Sequence, residues 1–154
     1  KTVKPNIQFS SDFIIGYPGE TEADFKQTLE LIKKTKFINS YSFIYSPRPG
    51  TPASTLINVE KEVAIKRLIE LQEMLKKINM QSKEKFLDKS TEVLFENKMR
   101  NENKYFGRDK FLNSIVVESK NDLTGQLHNV KIDNFNHNCL FGKILNDENK
   151  NCAA

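Results

Sequence analysis

Hydrophobic and polar positions follow two different patterns along the chain, and the change divides it into two parts. In the first part, residues 8–15 and 41–45 are short apolar segments that predict strands, and each is followed by a turn with glycine or proline. Between them, apolar residues recur at helical spacing from Phe25 to Ile32, after Thr21 as a suitable N-cap. Strand, helix and strand in this order predict two parallel strands joined by a right-handed crossover.

These two strands are not expected to form a stable sheet by themselves. Phe13, Ile14 and Ile15 form a continuous apolar run, which is typical of a strand buried on both faces of a parallel sheet. Two such strands alone would leave both sheet edges and a large apolar face uncovered. We therefore expect a larger parallel sheet or βα-barrel, whose site lies at the carboxyl ends of its strands.

A long helix and several short strands follow. Residues 59–85 contain no glycine or proline and carry apolar residues at helical spacing, which predicts one long packed helix. Short apolar segments separated by polar turns then predict four strands, at residues 91–96, 114–118, 129–133 and 139–144. Their spacing is typical of a small antiparallel β-barrel that binds oligonucleotides. The predicted fold class is α/β followed by all-β, with a boundary near residues 82–88.

Composition limits the size of the core, the kind of partner and the cellular compartment, but it does not decide the function. The 154 residues suffice for one ordinary core or two small ones, and 24 basic against 20 acidic residues give a net charge of +4. This mild excess is compatible with a polyanionic partner. No apolar run approaches membrane-spanning length, so we expect no membrane partner. Two distant cysteines, Cys139 and Cys152, do not suggest a disulfide framework, which favours the reducing cytoplasm.

Two segments are candidate sites. The first is the turn Gly16-Tyr17-Pro18-Gly19-Glu20-Thr21, whose glycines let the main chain approach a ligand while the following helix offers unpaired amides. Its alternative role is a tight turn that serves geometry alone, with Glu20 as a first-turn acid. The second is residues 98–111, where aromatic residues are interleaved with cations. The cations are Lys98, Arg100, Lys104, Arg108 and Lys110.

Cations bind phosphates and aromatic faces stack on unpaired bases, so residues 98–111 favour single-stranded RNA as a ligand. Glu102 and Asp109 oppose the cations, and the aromatic residues are Tyr105, Phe106 and Phe111. The alternative is a solvated turn with Phe106 and Phe111 in the barrel core.

Two segments of the first part resemble the last strands of the radical-SAM barrel in tRNA methylthiotransferases. They are residues 12–21 and the run Phe43-Ile44-Tyr45-Ser46-Pro47-Arg48-Pro49-Gly50-Thr51-Pro52. The run is most similar to the branch that makes 2-methylthio-N6-isopentenyl-type adenosine in tRNA. The resemblance implies that Gly16, Pro18, Gly19 and Glu20 lie beside bound S-adenosylmethionine. It also implies that Arg48 lies near the tRNA, with an ion pair across the barrel rim as its alternative role.

The second part is similar to the TRAM domain, the RNA-binding barrel at the carboxyl end of the same enzymes. The similarity rests on Phe106-Gly107-Arg108, on Asn113 with Val116-Val117, and on Phe141-Gly142-Lys143-Ile144. The resemblance implies tRNA as the partner of Arg48 and of the five cations. It predicts the end of a radical-SAM barrel with its connecting helix at residues 1–82, a TRAM-like barrel at residues 83–146 and a disordered tail at residues 147–154.

The resemblance also implies S-adenosylmethionine and two 4Fe–4S clusters in the parent enzymes, and the cluster ligands are missing from this chain. The family carries a Cys-x-x-x-Cys-x-x-Cys loop and three further cysteines, whereas this chain has two distant ones. We therefore expect no metal site and no catalytic residue here.

The resulting hypothesis is a carboxyl-terminal part of a tRNA methylthiotransferase, and the start at Lys1 beside a predicted strand favours an origin in a longer protein. The parent reaction would add a 2-methylthio group to N6-isopentenyladenosine near the anticodon, and the chain alone would not turn over. Two alternatives stay open. One is a stand-alone RNA-binding module, and the other is a subunit that docks on a separately encoded, cluster-bearing N-terminal half.

Overall fold

The computed structural model describes residue 3, residues 7–100 and residues 102–145. It divides the chain into two compact units, at residues 1–79 and 80–154. The predicted tail at residues 147–154, which includes Cys152, lies outside the described residues. Within the described part of the chain, no helix combines the length and the hydrophobicity needed to cross a lipid bilayer.

The first unit contains the predicted parallel strand pair. β1 (Asp12–Ile15) and β2 (Tyr41–Ile44) pair in parallel, and α1 (Glu22–Thr35) lies between them in sequence. A short 3-10 helix (Pro52–Thr55) comes next, and α2 (Lys61–Glu84) is the predicted long helix.

α1 begins and ends at the residues that its capping signals predict. The Thr21 hydroxyl oxygen accepts a hydrogen bond from the Asp24 amide at 3.2 Å, and the Asp24 carboxylate accepts one from the Thr21 amide at 2.9 Å. The hydrogen bonds from Thr21 hold the pKa of the Asp24 carboxyl group below its ordinary value. Lys36, at φ 56°, ends the helix by donating its amide to the Ile32 carbonyl at 2.9 Å.

Within the described residues the small sheet buries only one of its faces, so burial of β1 on both faces stays a prediction for a larger sheet. Phe13 and Ile15 pack in a core with residues of α1 and α2. In contrast, Ile14 is 57% exposed and Phe43 is 56% exposed. The reason is that β1 and β2 form a two-stranded sheet within the described residues, and the helices cover one side of it. The other side presents an open apolar face.

The second unit contains a closed five-stranded β-barrel that fits a small OB-like or TRAM barrel. Around the barrel the strands are ordered β3 (Ser90–Lys98), β4 (Lys104–Asp109), β5 (Ser114–Glu118), β7 (Leu140–Ile144) and β6 (Leu127–Phe135). All five strands contribute inward-facing residues to one core. These residues are Val93, Phe95, Tyr105, Ile115, Val117, Val130, Ile132 and Leu140.

The structure corrects the sequence prediction of this barrel in two respects. Four strands were predicted, whereas the structure has β4 as a fifth. The sequence pattern did not predict β4 because its outward Lys104 and Arg108, which alternate with buried Tyr105 and Gly107, make the segment resemble a basic turn. An antiparallel barrel was predicted, but β5 and β7 pair in parallel. The parallel pair arises because β5 and β6 are not neighbours, so the chain crosses the barrel before β7 closes it beside β5.

Two glycines allow the strands to approach closely inside the barrel. A Cβ atom at Gly107 would collide with the Leu94 carbonyl oxygen and would lie 2.8 Å from a Val93 methyl group. A Cβ atom at Gly142 would collide with the Lys131 carbonyl oxygen in the same way. Both collisions involve main-chain atoms of paired strands, which cannot move without disturbing the barrel.

We predict that Gly107→Ala destabilises the barrel by about 1–3 kcal/mol, because the added methyl group overpacks a site bounded by main chain. Amide hydrogen exchange of β4 measures this for the barrel alone, and exchange should become at least several times faster. The exposed Ser90→Ala on β3 is the control and should leave exchange unchanged. Equal protection in Gly107→Ala and the native chain would contradict the predicted collision.

Candidate cofactor loop and nucleic-acid interface

The turn at residues 16–20 leaves the carboxyl end of β1, and its two glycines have different roles. Gly16 is buried at φ +73°, and a Cβ atom there would lie 2.9 Å from the Ala64 Cβ of α2. Gly19 is exposed at φ +87°, and a Cβ atom there would meet nothing within 4 Å. Pro18 between them is buried. Gly16 therefore permits helix packing, whereas Gly19 keeps an open main-chain surface.

The Glu20 side chain forms hydrogen bonds that hold the turn together. Its Oε2 atom accepts hydrogen bonds from the Gly16 amide at 3.0 Å and from Nη1 of Arg67 at 2.8 Å. The same Arg67 nitrogen donates to the Glu20 main-chain carbonyl at 3.1 Å. Glu20 also precedes the N-cap, and the acids of the first turn of α1 are Glu22 and Asp24. The Glu20 carboxylate therefore fixes the shape of the turn from within.

Arg67 is a site residue that the sequence reasoning missed. It is only 7% exposed, its guanidinium lies 5.5 Å from the centre of the Phe25 ring, and it pairs with Glu22 at 3.3 Å. Its Nε atom is buried without a hydrogen-bond partner among the described residues. The sequence feature that could have identified Arg67 as buried is its position, because it lies at helical spacing between the buried Ala64 and Leu71.

Polar groups near the turn could bind a small ligand. The Tyr45 hydroxyl, just beyond β2, is buried and has no hydrogen-bond partner among the described residues. The Tyr45 ring contacts Tyr17 edge to face, with ring centres 5.2 Å apart. An unpartnered buried hydroxyl is costly unless a ligand completes it. The open main chain at Gly19 and the Tyr45 hydroxyl are thus the groups that fit a cofactor such as S-adenosylmethionine.

The described residues do not fit an iron–sulfur cluster. They contain no group of three or more cysteine, histidine or acidic side chains that could hold a metal ion. Cys139 is a free, partly buried thiol, and burial raises its pKa, which disfavours the thiolate that binds iron. Together with Cys152, which lies outside the described residues, it is one of the two cysteines of the whole chain.

Arg48 lies exposed in the loop after β2. The Thr51 amide and hydroxyl both donate to the Arg48 carbonyl, at 3.2 and 2.8 Å, and so fix the loop around it. In the described part of the chain, no carboxylate forms a salt bridge with Arg48 within 4.0 Å. The guanidinium is consequently accessible to a ligand.

The five cations of residues 98–111 lie along β4 and at both of its ends. Lys98 and Arg100 lie near its start and Lys110 beyond its end, so the cations span about 20 Å. Lys104 pairs with Glu102 at 2.6 Å, and this hydrogen bond raises the pKa of Lys104 above its ordinary value. Lys104 also lies 3.9 Å from Glu118, and Arg108 lies 3.7 Å from Glu96. Two of the five cations are thus already paired with acids.

The aromatic residues of this segment have three different environments. Tyr105 is buried in the barrel core, and Lys98 lies 5.8 Å from its ring centre. Phe106 is partly buried outside that core, with the Arg108 guanidinium 5.5 Å from its ring centre. Phe111 packs against Phe86 with ring centres 6.4 Å apart.

Asp109 is a structural acid and does not neutralise the surface cations. It is buried, and its carboxylate accepts hydrogen bonds from the amides of Phe111 and Asn113, at 2.9 and 3.0 Å. The Asn113 side-chain amide donates to it as well, at 2.9 Å. These bonds shape the turn that exposes Lys110.

No family model matches the chain, but similar curated proteins are known. The chain is 45% identical over 153 residues to the "tRNA-2-methylthio-N(6)-dimethylallyladenosine synthase" of Pelagibacter ubique (strain HTCC1062), covering 99% of this chain and 34% of that protein. Proteins of the same name from Wolbachia pipientis subsp. Culex pipiens and Buchnera aphidicola subsp. Baizongia pistaciae are 40% and 44% identical, over 92% and 91% of this chain. The chain spans about a third of the length of these curated relatives.

We predict that Arg67→Ala destabilises the first unit by about 3 kcal/mol, because it leaves the partly buried Glu20 carboxylate without its cation. Thermal unfolding and amide exchange in α1 measure the loss. The exposed Lys66→Ala on the same helix is the control. The double variant Arg67→Leu with Glu20→Gln should recover part of the stability, and an Arg67→Ala variant as stable as Lys66→Ala would contradict the ion pair.

Proposed function

We infer that this chain belongs to the tRNA methylthiotransferases, because it is similar to curated members over nearly its whole length. We propose that it supplies tRNA contacts and part of a cofactor pocket. The parent reaction would add a 2-methylthio group to N6-isopentenyladenosine near the anticodon, in the cytoplasm. When bound, S-adenosylmethionine and the iron–sulfur clusters would supply the radical and sulfur chemistry. The 45% identity to the Pelagibacter relative is the observation that carries this proposal.

The first unit would be the end of a radical-SAM barrel. Its parallel β1–β2 pair, with the turn at residues 16–20 and Arg48 at the carboxyl ends of the strands, suits such a barrel. The open apolar face around Ile14 and Phe43 needs further strands to cover it. We propose that a cluster-bearing segment covers this face, either within a longer protein or as a separate subunit.

Within that barrel, the residues of this chain would bind and orient the cofactor and the tRNA, and they would contribute no catalytic group. The main chain at Gly19 and the Tyr45 hydroxyl would contact S-adenosylmethionine, while Glu20 and Arg67 hold the turn in place. Arg48 would bind a tRNA phosphate or stack on a base beyond them. The cluster ligands would come from elsewhere, because the cysteines of this chain do not fit that role.

The second unit would bind tRNA. A closed OB-like barrel with cations along one strand is suited to oligonucleotides, and β4 carries such a row in Lys104 and Arg108. The barrel has its own continuous core, which also favours the alternative of an RNA-binding module that acts without catalysis.

A chimera tests the catalytic proposal. Replacing the aligned third of the Pelagibacter ubique relative with this chain should give a protein that methylthiolates tRNA, measured by mass spectrometry of digested nucleosides. The chain by itself is the matched control and should leave tRNA unmodified. A folded, cluster-loaded chimera that binds tRNA but leaves it unmodified would contradict the proposal and favour the RNA-binding module.

We predict that Arg108→Ala and Lys104→Ala each weaken tRNA binding and lower the slope of log affinity against log salt by about one, since each removes about one phosphate contact. Lys26→Ala on α1 is the control. Binding is measured by fluorescence anisotropy across a salt series, and identical slopes in all four proteins would exclude β4 as the basic face.

We also predict an effect of opposite sign at Glu102. Because Glu102 holds the Lys104 ammonium at 2.6 Å, it competes with any phosphate for that cation. Glu102→Gln should therefore strengthen tRNA binding about two- to fivefold at low salt, in line with the small strength of exposed ion pairs. Anisotropy titrations measure this, and unchanged or weaker binding in Glu102→Gln would contradict a competition between Glu102 and phosphate for Lys104.

A further inference from the structure

Three apolar residues form a row across the outer surface of the barrel. Phe106 on β4 pairs with Val116 on β5, and Val116 pairs with Phe141 on β7. We call Phe106, Val116 and Phe141 the outer row. Neighbouring strands lie about 4.8 Å apart, so the two phenylalanines are about 10 Å apart.

The outer row faces away from the barrel core. Side chains alternate along a strand, and the core contains Tyr105, Ile115, Val117 and Leu140, which are the sequence neighbours of the row. None of the three row residues belongs to that core or to the partly buried residues packed against it. Val116 is nevertheless only 6% exposed, and both phenylalanines are partly buried. The row therefore lies on the outer face of the sheet, where the two partly exposed phenylalanines flank a buried valine.

Each phenylalanine of the row lies opposite an asparagine that directly follows a β-bulge. Phe106 pairs with Asn97 beside the bulge in β3, and Phe141 pairs with Asn134 beside the bulge in β6. Both asparagines are exposed. Bulges often re-aim side chains at binding sites, and an asparagine amide can donate to and accept from the edge of a base.

Cations lie beside the row and can bind the phosphates of a ligand whose flat rings stack on the phenylalanines. Lys104 and Arg108 flank Phe106 on the outer face of β4, and exposed Lys143 follows Phe141 on β7. The Arg108 guanidinium already lies 5.5 Å from the Phe106 ring centre, which shows that a planar group can occupy the ring face. Acids also lie beside these cations, since Glu96 pairs with Arg108, and Glu102 and Glu118 pair with Lys104.

We propose that the outer row is a stacking platform for unpaired RNA bases, with phosphates on the flanking cations. The inference rests on the proposed tRNA-binding function and adds the side chains that would stack on unpaired bases, Phe106 on β4 and Phe141 on β7. Paired bases are stacked inside a duplex and cannot reach Phe106 or Phe141, whereas bases in a loop or single strand can stack on both.

The test uses the full chain and a single-stranded oligonucleotide of about ten adenylates with one 2-aminopurine. Stacking on an aromatic ring quenches 2-aminopurine fluorescence. Phe106→Leu and Phe141→Leu keep an apolar side chain but lose the ring, so each should bind about tenfold more weakly and reduce the quenching. Their salt slopes should stay unchanged, because no phosphate contact is lost.

Two controls separate stacking from folding. Phe106→Tyr and Phe141→Tyr keep the ring and should keep native affinity and quenching, even if a leucine variant folds poorly. Leu127→Ala removes an exposed apolar side chain from β6 and should have no effect. A duplex of the same length should bind more weakly than the single strand.

The outcomes distinguish this inference from the function on which it rests. If the native chain binds neither single-stranded RNA nor tRNA at low salt, both the RNA-binding function and the platform are wrong. If it binds RNA but the folded leucine variants keep native affinity and quenching, only the platform is overturned. Leucine variants that bind RNA normally but lose self-association would show that the row contacts another protein, which also overturns it.

Discussion

Closure of the five-stranded sheet is the constraint on which the rest of the second unit depends. A closed barrel gives every strand one inner and one outer face, so each residue of β4 is committed to the core or to the surface. Closure requires close approach at Gly107 and Gly142, where no Cβ atom fits. Because Tyr105 and Gly107 face inward, Lys104, Phe106 and Arg108 are brought together on the outside. The proposed RNA surface is a direct consequence of this alternation.

The first unit depends on a different interaction, the ion pair between the partly buried Glu20 and the buried Arg67. The pair joins the turn after β1 to α2, which lies more than forty residues further along the chain. Gly16 donates its amide to the same carboxylate and contacts Ala64, so the turn is held by main chain and helix together. A turn fixed in this way can present its main chain to a ligand without rearrangement, which reduces the entropic cost of binding.

Local signals were sufficient to predict most of the helices and strands. The Thr21 cap, the existence of the long helix α2 and the parallel pairing of β1 and β2 follow from spacing and capping chemistry, and the structure confirms them. β4 was missed because its outward charges conceal its alternation, and the parallel β5–β7 pair depends on closure, which no local pattern encodes. The Glu20–Arg67 pair was missed for the same reason, since its partners are distant in sequence.

The central claim is that tRNA lies against the outer face of β4 and β7. The most direct measurement is ultraviolet cross-linking of the full chain to tRNA, followed by mass spectrometry of the cross-linked peptides. The account predicts nucleotides attached at Phe106 and Phe141. Cross-links confined to β6 or to the first unit, with none on β4 or β7, would contradict it.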